Sequence, residues 1–600
     1  MGNIYSYSRI TYDKLNFKPL KWPKKDEDWN ELIKPILLFL KEFQDLETPQ
    51  ETLVQLSIKL YEVCQKNLPY KKSEYNLPPY FQNREKIIQS LCSKRYFPRP
   101  TCSNQELADR FQDLNYGQNK VSFPNDFIVN PNWSKFDSSD FKYKDFKEVL
   151  KTKRNLKSNY DGLCYELVRR IPLLKMKLVR LFNKVFKSSE LPEEWYHGIA
   201  YGLYKGGKDT TNPLHFRPLI RMDTFSKLYW HMVVERLKTH FQKNNIMNTN
   251  IQKAFQNDTN GVIQSLFIHQ MVKPISGVVV YLDIKNAFGS LQTSFVKLVL
   301  ETYGVPNFLV RSIVFYLENR IVWVKNEKRK WNTGIPQGCV LSNLLFILCM
   351  NYILTNIHDK YYTKFGVSVF NCKFLIQAFA DDIVIYGQSV KCLQIILDEL
   401  FNLLSCSCLK LQVNKCIVDY NNQEPINKLK LNGFEIPNIN TKPNFKYLGQ
   451  YAILSNIWEH FGNDLKEGLQ KIKEEYTKIL TNPTAKDYWY AYQLIWKYQI
   501  AWFMNVFDTT NSKYNLITDI EKEWFSSIPG LENRITDADY NTRQIKAQIL
   551  RHKTLNYSLD SRINMLYRES IGERYQEISK LYLENPTLSV VNSFRKNFYN

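Results

Sequence analysis

The sequence predicts an α+β fold: an antiparallel sheet flanked by helices, with a helical extension before it and a helical region after it. Three observations carry this. Gly277-Val278-Val279-Val280-Tyr281-Leu282-Asp283-Ile284 is a β-branched run, the signature of a buried strand. Phe374 to Phe379 and Ile383 to Tyr386 are two more strand-like runs, and Ala380-Asp381-Asp382 between them is short enough for a hairpin turn. Val340 to Ile357 and Lys391 to Leu404 carry helical spacing, so strands alternate with helices in the middle of the chain.

The remaining elements follow in order. Trp29 to Lys66 is rich in Leu, Ile and Glu, with Leu32, Ile36, Phe39 and Phe43 on one helical face. Leu77-Pro78-Pro79 and Phe97-Pro98-Arg99-Pro100 punctuate the end of this unit. A helix from Pro172 to Lys187 starts on a proline suited to its first turn, and Leu191-Pro192-Glu193-Glu194-Trp195 turns away from it. Beyond Tyr451 the pattern is helical and basic with no further strand. Met1-Gly2-Asn3-Ile4-Tyr5-Ser6, followed by Lys14, Lys18, Lys21, Lys24 and Lys25, fits the loose myristoylation pattern.

Composition narrows the function. Lys plus Arg number 81 against 59 Asp plus Glu, a net charge of +22 that suits a polyanionic partner such as a phosphate backbone. Charge alone fits a merely soluble basic protein as well. The longest apolar stretch, Leu344 to Leu354, is too short to span a bilayer, so no transmembrane segment is expected. The 11 cysteines are scattered without zinc-knuckle or CxxC spacing, which reads as reduced thiols in an intracellular compartment.

The carboxylates carry the chemistry. An acid at the end of a buried apolar strand is costly unless it is paired or bound to metal, and Asp283 is such a residue. Asp381 and Asp382 put two more at the tip of an apolar hairpin. If the hairpin lies beside the first strand, three hard oxygen donors converge, a set suited to Mg²⁺ that leaves room for substrate phosphates. Two such ions about 3.5–4 Å apart support an in-line phosphoryl transfer. Spacing alone favours the plainer reading, with Asp381-Asp382 a polar turn and Asp283 a capped strand end.

The neighbouring residues decide between these readings. Tyr281-Leu282-Asp283-Ile284-Lys285-Asn286-Ala287-Phe288, Gly334-Ile335-Pro336-Gln337-Gly338-Cys339-Val340-Leu341-Ser342, Phe379-Ala380-Asp381-Asp382, Leu409 to Cys416 and Phe445-Lys446-Tyr447-Leu448-Gly449 stand in one order. That order resembles the motifs of reverse transcriptases. Lys157-Ser158-Asn159-Tyr160-Asp161-Gly162, Leu191 to Trp195, Tyr204-Lys205-Gly206-Gly207-Lys208, Phe216-Arg217-Pro218-Leu219 with Lys227 and Arg236, and Gln252-Lys253-Ala254-Phe255-Gln256 are similar to the non-LTR, LINE-type retrotransposon enzymes.

The resemblance implies a right-hand polymerase. An N-terminal helical extension would occupy 1–135, fingers and palm 136–450, and a helical thumb 451–600. It implies that Asp283, Asp381 and Asp382, with Ile284 beside them, hold two Mg²⁺, Mn²⁺ being able to substitute. Phe288 would block the ribose 2′-hydroxyl and so select dNTPs. Lys205 and Arg217 would clamp the triphosphate, Gln337 and Gly338 line the nascent base pair, and Lys415 protonate departing pyrophosphate as a general acid. Tyr447, Leu448 and Gly449 would grip the primer. The implied partners are an RNA template, a DNA or RNA primer, dNTPs and a separate endonuclease, because neither an acid/His nuclease constellation nor a C-terminal Cys/His cluster is visible. Nuclear localisation follows only from the target-primed chemistry of such enzymes.

Three positions depart from the family pattern: Gly289 replaces the usual Asp, Asn343 the usual Pro, and Cys408 the usual Gly. Other readings are an intron maturase, a defence-type or template-independent polymerase on the same palm, and a silent RNA-binding scaffold. Phe288 speaks against an RNA-directed RNA polymerase, and the presence of all three aspartates against the scaffold.

Overall fold

In the computed structural model the described residues are 20–69, 100–115, 132–151, 159, 161–205, 209–255, 260–421, 425–442, 444–454, 457–479, 483–507, 511–532, 534–558, 560–572 and 574–584. Gly2, Lys157, Tyr160, Gly206 to Lys208, Gln256 and the proline pair at 78 and 79 lie outside them.

Ten strands build the two main sheets and one ribbon: β1 (His197–Tyr204), β2 (Phe216–Arg221), β3 (Val278–Leu282), β4 (Arg320–Val324), β5 (Glu327–Trp331), β6 (Val367–Val369), β7 (Cys372–Phe374), β8 (Ile376–Phe379), β9 (Asp382–Gly387) and β10 (Ile417–Asp419). The first sheet has the order β2-β1-β4-β5, with β1 and β4 parallel and the other pairs antiparallel. The second is wholly antiparallel in the order β10-β3-β9-β8. β6 and β7 pair separately. Helices fill most of the remaining chain, so the expected α+β class holds.

All five β3 residues are buried, because both faces of the second sheet are covered. Val278, Val280, Leu282, Ile383 and Ile385 face a core shared with helix Ser342–Phe365 and the N-terminal helices. Val279, Tyr281, Val384 and Tyr386 point the opposite way, into a second core with helix Gly261–Val272 and the C-terminal helices. Period-2 alternation thus feeds two cores from one strand pair. Helix Gly261–Val272 is apolar almost all round because it lies between that sheet and the C-terminal helices.

The expected helices form with small shifts in their ends. Trp29 to Lys66 is two helices, Asp26–Glu42 and Pro49–Asn67; the later ones are Pro172–Ser188, Ser342–Phe365 and Val390–Cys406. The run Phe374 to Phe379 is broken at Leu375 into the ends of β7 and β8. Leu191 to Trp195 leads into a short 3₁₀ turn, Glu193–Tyr196. Among the described residues, none beyond Tyr451 is a strand, and no helix is long and apolar enough to cross a membrane. The described cysteines are free thiols.

Candidate active site

β3 and β9 pair from Val278↔Gly387 to Leu282↔Ile383, and Asp283 and Asp382 are the next residues at that open end. The hairpin turn between β8 and β9 closes on Phe379↔Asp382, leaving only Ala380 and Asp381 at its tip. Sequence adjacency and register together therefore gather the three acids at one sheet edge. Their placement shifts their acidities. Burial, then Asp381, then Asp283 push the Asp382 carboxyl up to about 6. Burial raises Asp381 and Asp283 as well, while Arg217 pulls all three down. Asp382 nonetheless keeps an exposed surface at the sheet edge.

Such a cluster fits hard divalent cations by its donor set. Among the described residues, no three His, Cys, Asp or Glu side chains are drawn together enough to hold an ion by themselves. Ile284 is buried beside Asp283 and forms a bridge with Leu411.

The segment carrying Lys415 is zipped onto the same loop. Lys285 N donates to Lys410 O at 2.8 Å and Gln412 N to Asp283 O at 2.9 Å. The Lys415 ammonium ends 4.0 Å from Asp283 Oδ2, both groups being solvent-exposed. Across the cleft, β1 and β2 present Lys205 and Arg217. Lys205 N donates to His215 O at 2.8 Å, its Nζ donates to Leu214 O at 3.1 Å, and Arg217 is exposed. The Lys205 ammonium is held below its usual range by burial, then by Arg217, Arg110 and Lys415. Four cations therefore share one electrostatic neighbourhood opposite three acids.

The second expected motif is tied to β2. Ile220 N donates to Gln337 O at 2.8 Å, and a Cβ on Gly338, whose φ is +98°, would lie 2.5 Å from Ile220 O. Only glycine lets the turn approach the strand bearing Arg217 this closely. Phe288 is half-buried, stacks on Phe346 with centroids 4.4 Å apart, and through its carbonyl accepts from Ile335 N at 2.7 Å. The gate candidate is thus braced on the helix that follows Gln337.

Two departures acquire physical reasons. A Cβ at Gly289 would stand 2.4 Å from Asn286 Nδ2 and 2.6 Å from Leu114 O, so no larger residue fits there. Cys408 adopts φ +62°, the left-handed conformation that suits the family's glycine; Cys408 holds it at some cost. Asn343 is exposed in the first turn of helix Ser342–Phe365, where a proline is also tolerated.

The expected primer grip is a hairpin of Lys446–Tyr447 with Gln450–Tyr451. Tyr447 is only 4% exposed and packs on His269 and Tyr281, with centroids at 5.2 and 5.8 Å. The tyrosine therefore anchors the turn from beneath, and of the three expected grip residues Leu448 and Gly449 offer surface. Of the remaining motif residues, Asp161 is fully buried and accepts from Thr224 N at 2.9 Å, and Lys227 donates to Asn159 Oδ1 at 2.9 Å. Arg236 lies over Phe141 at 4.6 Å. These are internal braces rather than cleft residues.

Sequence reasoning missed two contributors. Arg110 sits on helix Asn104–Asp113, and its buried Nε has no hydrogen-bond partner. That helix runs along β5, held by Arg329–Asp109 at 2.7 Å, while Thr101 N donates to Thr210 O at 2.9 Å in the loop after Lys205. Nearly a hundred residues separate Arg110 from Lys205, and no motif signals it. The second is Gln252, quoted above for its resemblance alone. Its Oε1 accepts from Ala380 N at 2.9 Å, in the turn of the acidic hairpin.

Comparison with known proteins agrees with this geometry. Residues 207–452 match the family described as reverse transcriptase (RNA-dependent DNA polymerase). A Drosophila melanogaster protein described as the retrovirus-related Pol polyprotein from type-2 retrotransposable element R2DM is 30% identical over 28% of this chain and 17% of its own length. The probable RNA-directed DNA polymerases from transposons X-element and BS of the same fly are 25% and 24% identical, over 40% and 31% of this chain and 26% and 22% of theirs. The matches thus span about a quarter or less of these relatives' length.

The acid cluster generates a stability prediction. Asp382 has a folded pKa above its ordinary 3.8, so the folded protein holds more protons than the unfolded one up to about pH 6 and loses stability as pH rises through that window. In metal-free protein at pH 7.5, Asp382→Asn should therefore be the more stable form, by roughly 1 kcal/mol once solvent screening is allowed for. The advantage should vanish below about pH 4 and shrink when Mg²⁺ is added. Thermal melts with EDTA or Mg²⁺ measure this; equal melting of the two proteins in EDTA at pH 7.5 would refute it.

Proposed function

We propose, on the premise that residues 207–452 form a reverse-transcriptase domain of the non-LTR retrotransposon kind, that this chain is an RNA-directed DNA polymerase extending a primer with dNTPs on an RNA template. One observation carries the reading: Asp283, Asp381 and Asp382 share one sheet edge and face the cations Lys205, Arg217 and Lys415. In this reading the second sheet is the palm, the first sheet belongs to the fingers, and the helices after Ile457 form the thumb.

The primer 3′-oxygen attacks the α-phosphorus, the α–β bridging bond breaks, and pyrophosphate departs. Asp283, Asp381 and Asp382 would hold two Mg²⁺ ions, which would supply charge stabilisation for the attacking and leaving oxygens. Lys205 and Arg217 hold the triphosphate, the lysine as a point charge and the arginine by its planar fork. Lys415, beside Asp283, delivers the proton that the leaving group needs. Phe288, braced on Phe346, closes the space beside the sugar C2′. Gln337 and Gly338 line the nascent pair, and the exposed turn at Leu448 and Gly449 supports the primer end.

Primer extension on poly(rA)/oligo(dT) with Mg²⁺ tests this directly. Wild type should extend, and Asp381→Asn should be slower by about 10³-fold or more, the several kcal/mol of a metal-held charge. No extension by wild type under varied divalent ions sinks the proposal, and equal extension by the variant marks the activity as foreign. Phe288→Ala should raise the rNTP/dNTP incorporation ratio about 10–100-fold; an unchanged ratio removes Phe288 as the gate. Arg110→Ala should raise KM for dNTP about fivefold, the worth of one solvent-screened charge, with primer–template affinity unchanged. A KM equal to wild type removes Arg110 from the triphosphate site.

A further inference from the structure

The turn of the acidic hairpin is held in a conformation that its own sequence does not favour. Ala380 has φ +56°, a left-handed value that is strained for a residue bearing a Cβ. Its backbone is held by one buried side chain. Gln252, 1% exposed, accepts from Ala380 N at 2.9 Å and donates to Ala380 O at 3.4 Å. The same Oε1 accepts from Ala254 N at 3.0 Å, which fixes the amide's orientation. Main-chain bonds run parallel to this clamp: Ala378 N donates to Ile251 O and Lys253 N to Ala378 O, both at 2.9 Å. The segment around Gln252 thus adds a short parallel bridge to β8, directly behind Asp381.

That segment is fastened from the other end of the chain. Lys253 is fully buried; its Nζ donates to Thr249 O at 2.6 Å and to Asp560 Oδ2 at 2.7 Å. Asp560, 2% exposed, also caps helix Ser561–Ile571 by accepting from Arg562 N, and receives the Arg562 guanidinium at 2.9 and 3.0 Å. Arg562 continues across the joint, donating to Asn250 O at 2.8 Å and Lys373 O at 2.9 Å, and lies over the Phe374 ring at 4.7 Å. Asn250 leads into the Gln252 clamp, and Lys373 and Phe374 lead into β8. Both strands that reach the hairpin turn from behind are therefore pinned by one C-terminal ion cluster.

Taking an ammonium and a carboxylate this far out of water offsets most of their attraction, so such a pair is weak evidence for stability alone. A fixed, fully hydrogen-bonded geometry is what it does supply.

We propose that Gln252 is a positioning residue for the catalytic carboxylates, and that Asp560, acting through Lys253 and Arg562, positions Gln252. The C-terminal helices then set the geometry of the acidic hairpin from the far side of the sheet. This rests on the polymerase reading only for its kinetic consequence; the structural coupling stands without it.

Two measurements on the full chain test it. Hydrogen exchange of residues 376–387 should accelerate in Gln252→Ala and Asp560→Asn, with residues 197–221 as the unaffected control. Exchange at 376–387 equal to wild type overturns the coupling whether or not the protein is a polymerase. In single-nucleotide extension, both variants should lose about tenfold or more in kcat per active site, while KM for dNTP changes less than threefold. Adding Ala380→Gly to Gln252→Ala should restore part of that loss, because glycine adopts φ +56° without the clamp. A purely structural role would lower the melting temperature and leave kcat per active site and the glycine rescue unmoved, and that result overturns the proposal. Should Asp560→Asn fail to fold, Gln252→Ala and its glycine partner decide alone. Wild-type extension in the same assay separates loss of positioning from failure of the polymerase reading.

Discussion

Everything in this structure depends on the antiparallel pairing of β3 with β9 inside a sheet that is covered on both faces. A strand pair buried on both sides tolerates no acid along its length, so its carboxylates can stand only where the sheet runs out. Asp283 is the first residue past β3, and Asp382 the first residue of β9. Their convergence is a consequence of register; a slip of one residue would turn every side chain of the strand to the opposite core. The acid cluster and the double core are two aspects of one constraint.

The electrostatics of the cleft follow from that placement. Burial raises all three acids, Asp283 adds to the rise of Asp381, and both add to that of Asp382, so a bare cluster of this kind destabilises its own fold. Arg217 offsets part of this for all three acids and Lys415 for Asp283, while burial, Arg217, Arg110 and Lys415 together hold the Lys205 ammonium down. Neither charge set is satisfied by the protein alone. A ligand that brings cations to the acids and phosphates to the lysines and arginine satisfies both, which is the charge pattern of a metal–nucleotide complex.

How much of this was legible depended on the local signal each element carries. The β3 run and the acidic hairpin were readable because a β-branched run and a two-residue turn leave strong local patterns. The first sheet was not. β5 reads Glu327-Lys328-Arg329-Lys330-Trp331, whose charged residues suggest surface loop, and β1 contains Gly198 and Gly202, which weaken any strand signal. Those strands exist because helix Asn104–Asp113 and the β1–β4 pairing hold them, a tertiary reason with no sequence signature. Tyr447 lies in the strand before the turn at Leu448 and Gly449, and its burial against His269 depends on helix Gly261–Val272, whose apolar character all round is itself explained only by the second core. The departure at Gly289 became intelligible only once Leu114 was seen to approach it from a segment 175 residues upstream.

The segment that carries the family resemblance is therefore smaller than the physical unit that builds the site. Residues 207–452 contain all three acids, the hairpin and helix Gly261–Val272, which covers Val279, Tyr281, Val384 and Tyr386, yet that helix is apolar almost all round and its outer side would face water without the C-terminal helices. An apolar helix face left exposed makes a patch that folded proteins avoid. On the opposite side, Leu114 O receives Asn286 Nδ2 at 3.1 Å, and Asn115 O receives the amides of Asn332 and Thr333, so the loops bearing Phe288 and Gln337 lean on the N-terminal segment. The ends of the described chain meet opposite sides of one sheet, and the acids lie where those supports converge. A cleft built this way is set by the whole chain, because removing either flank exposes a core face or unties a loop at the cost of the register that brings the acids together.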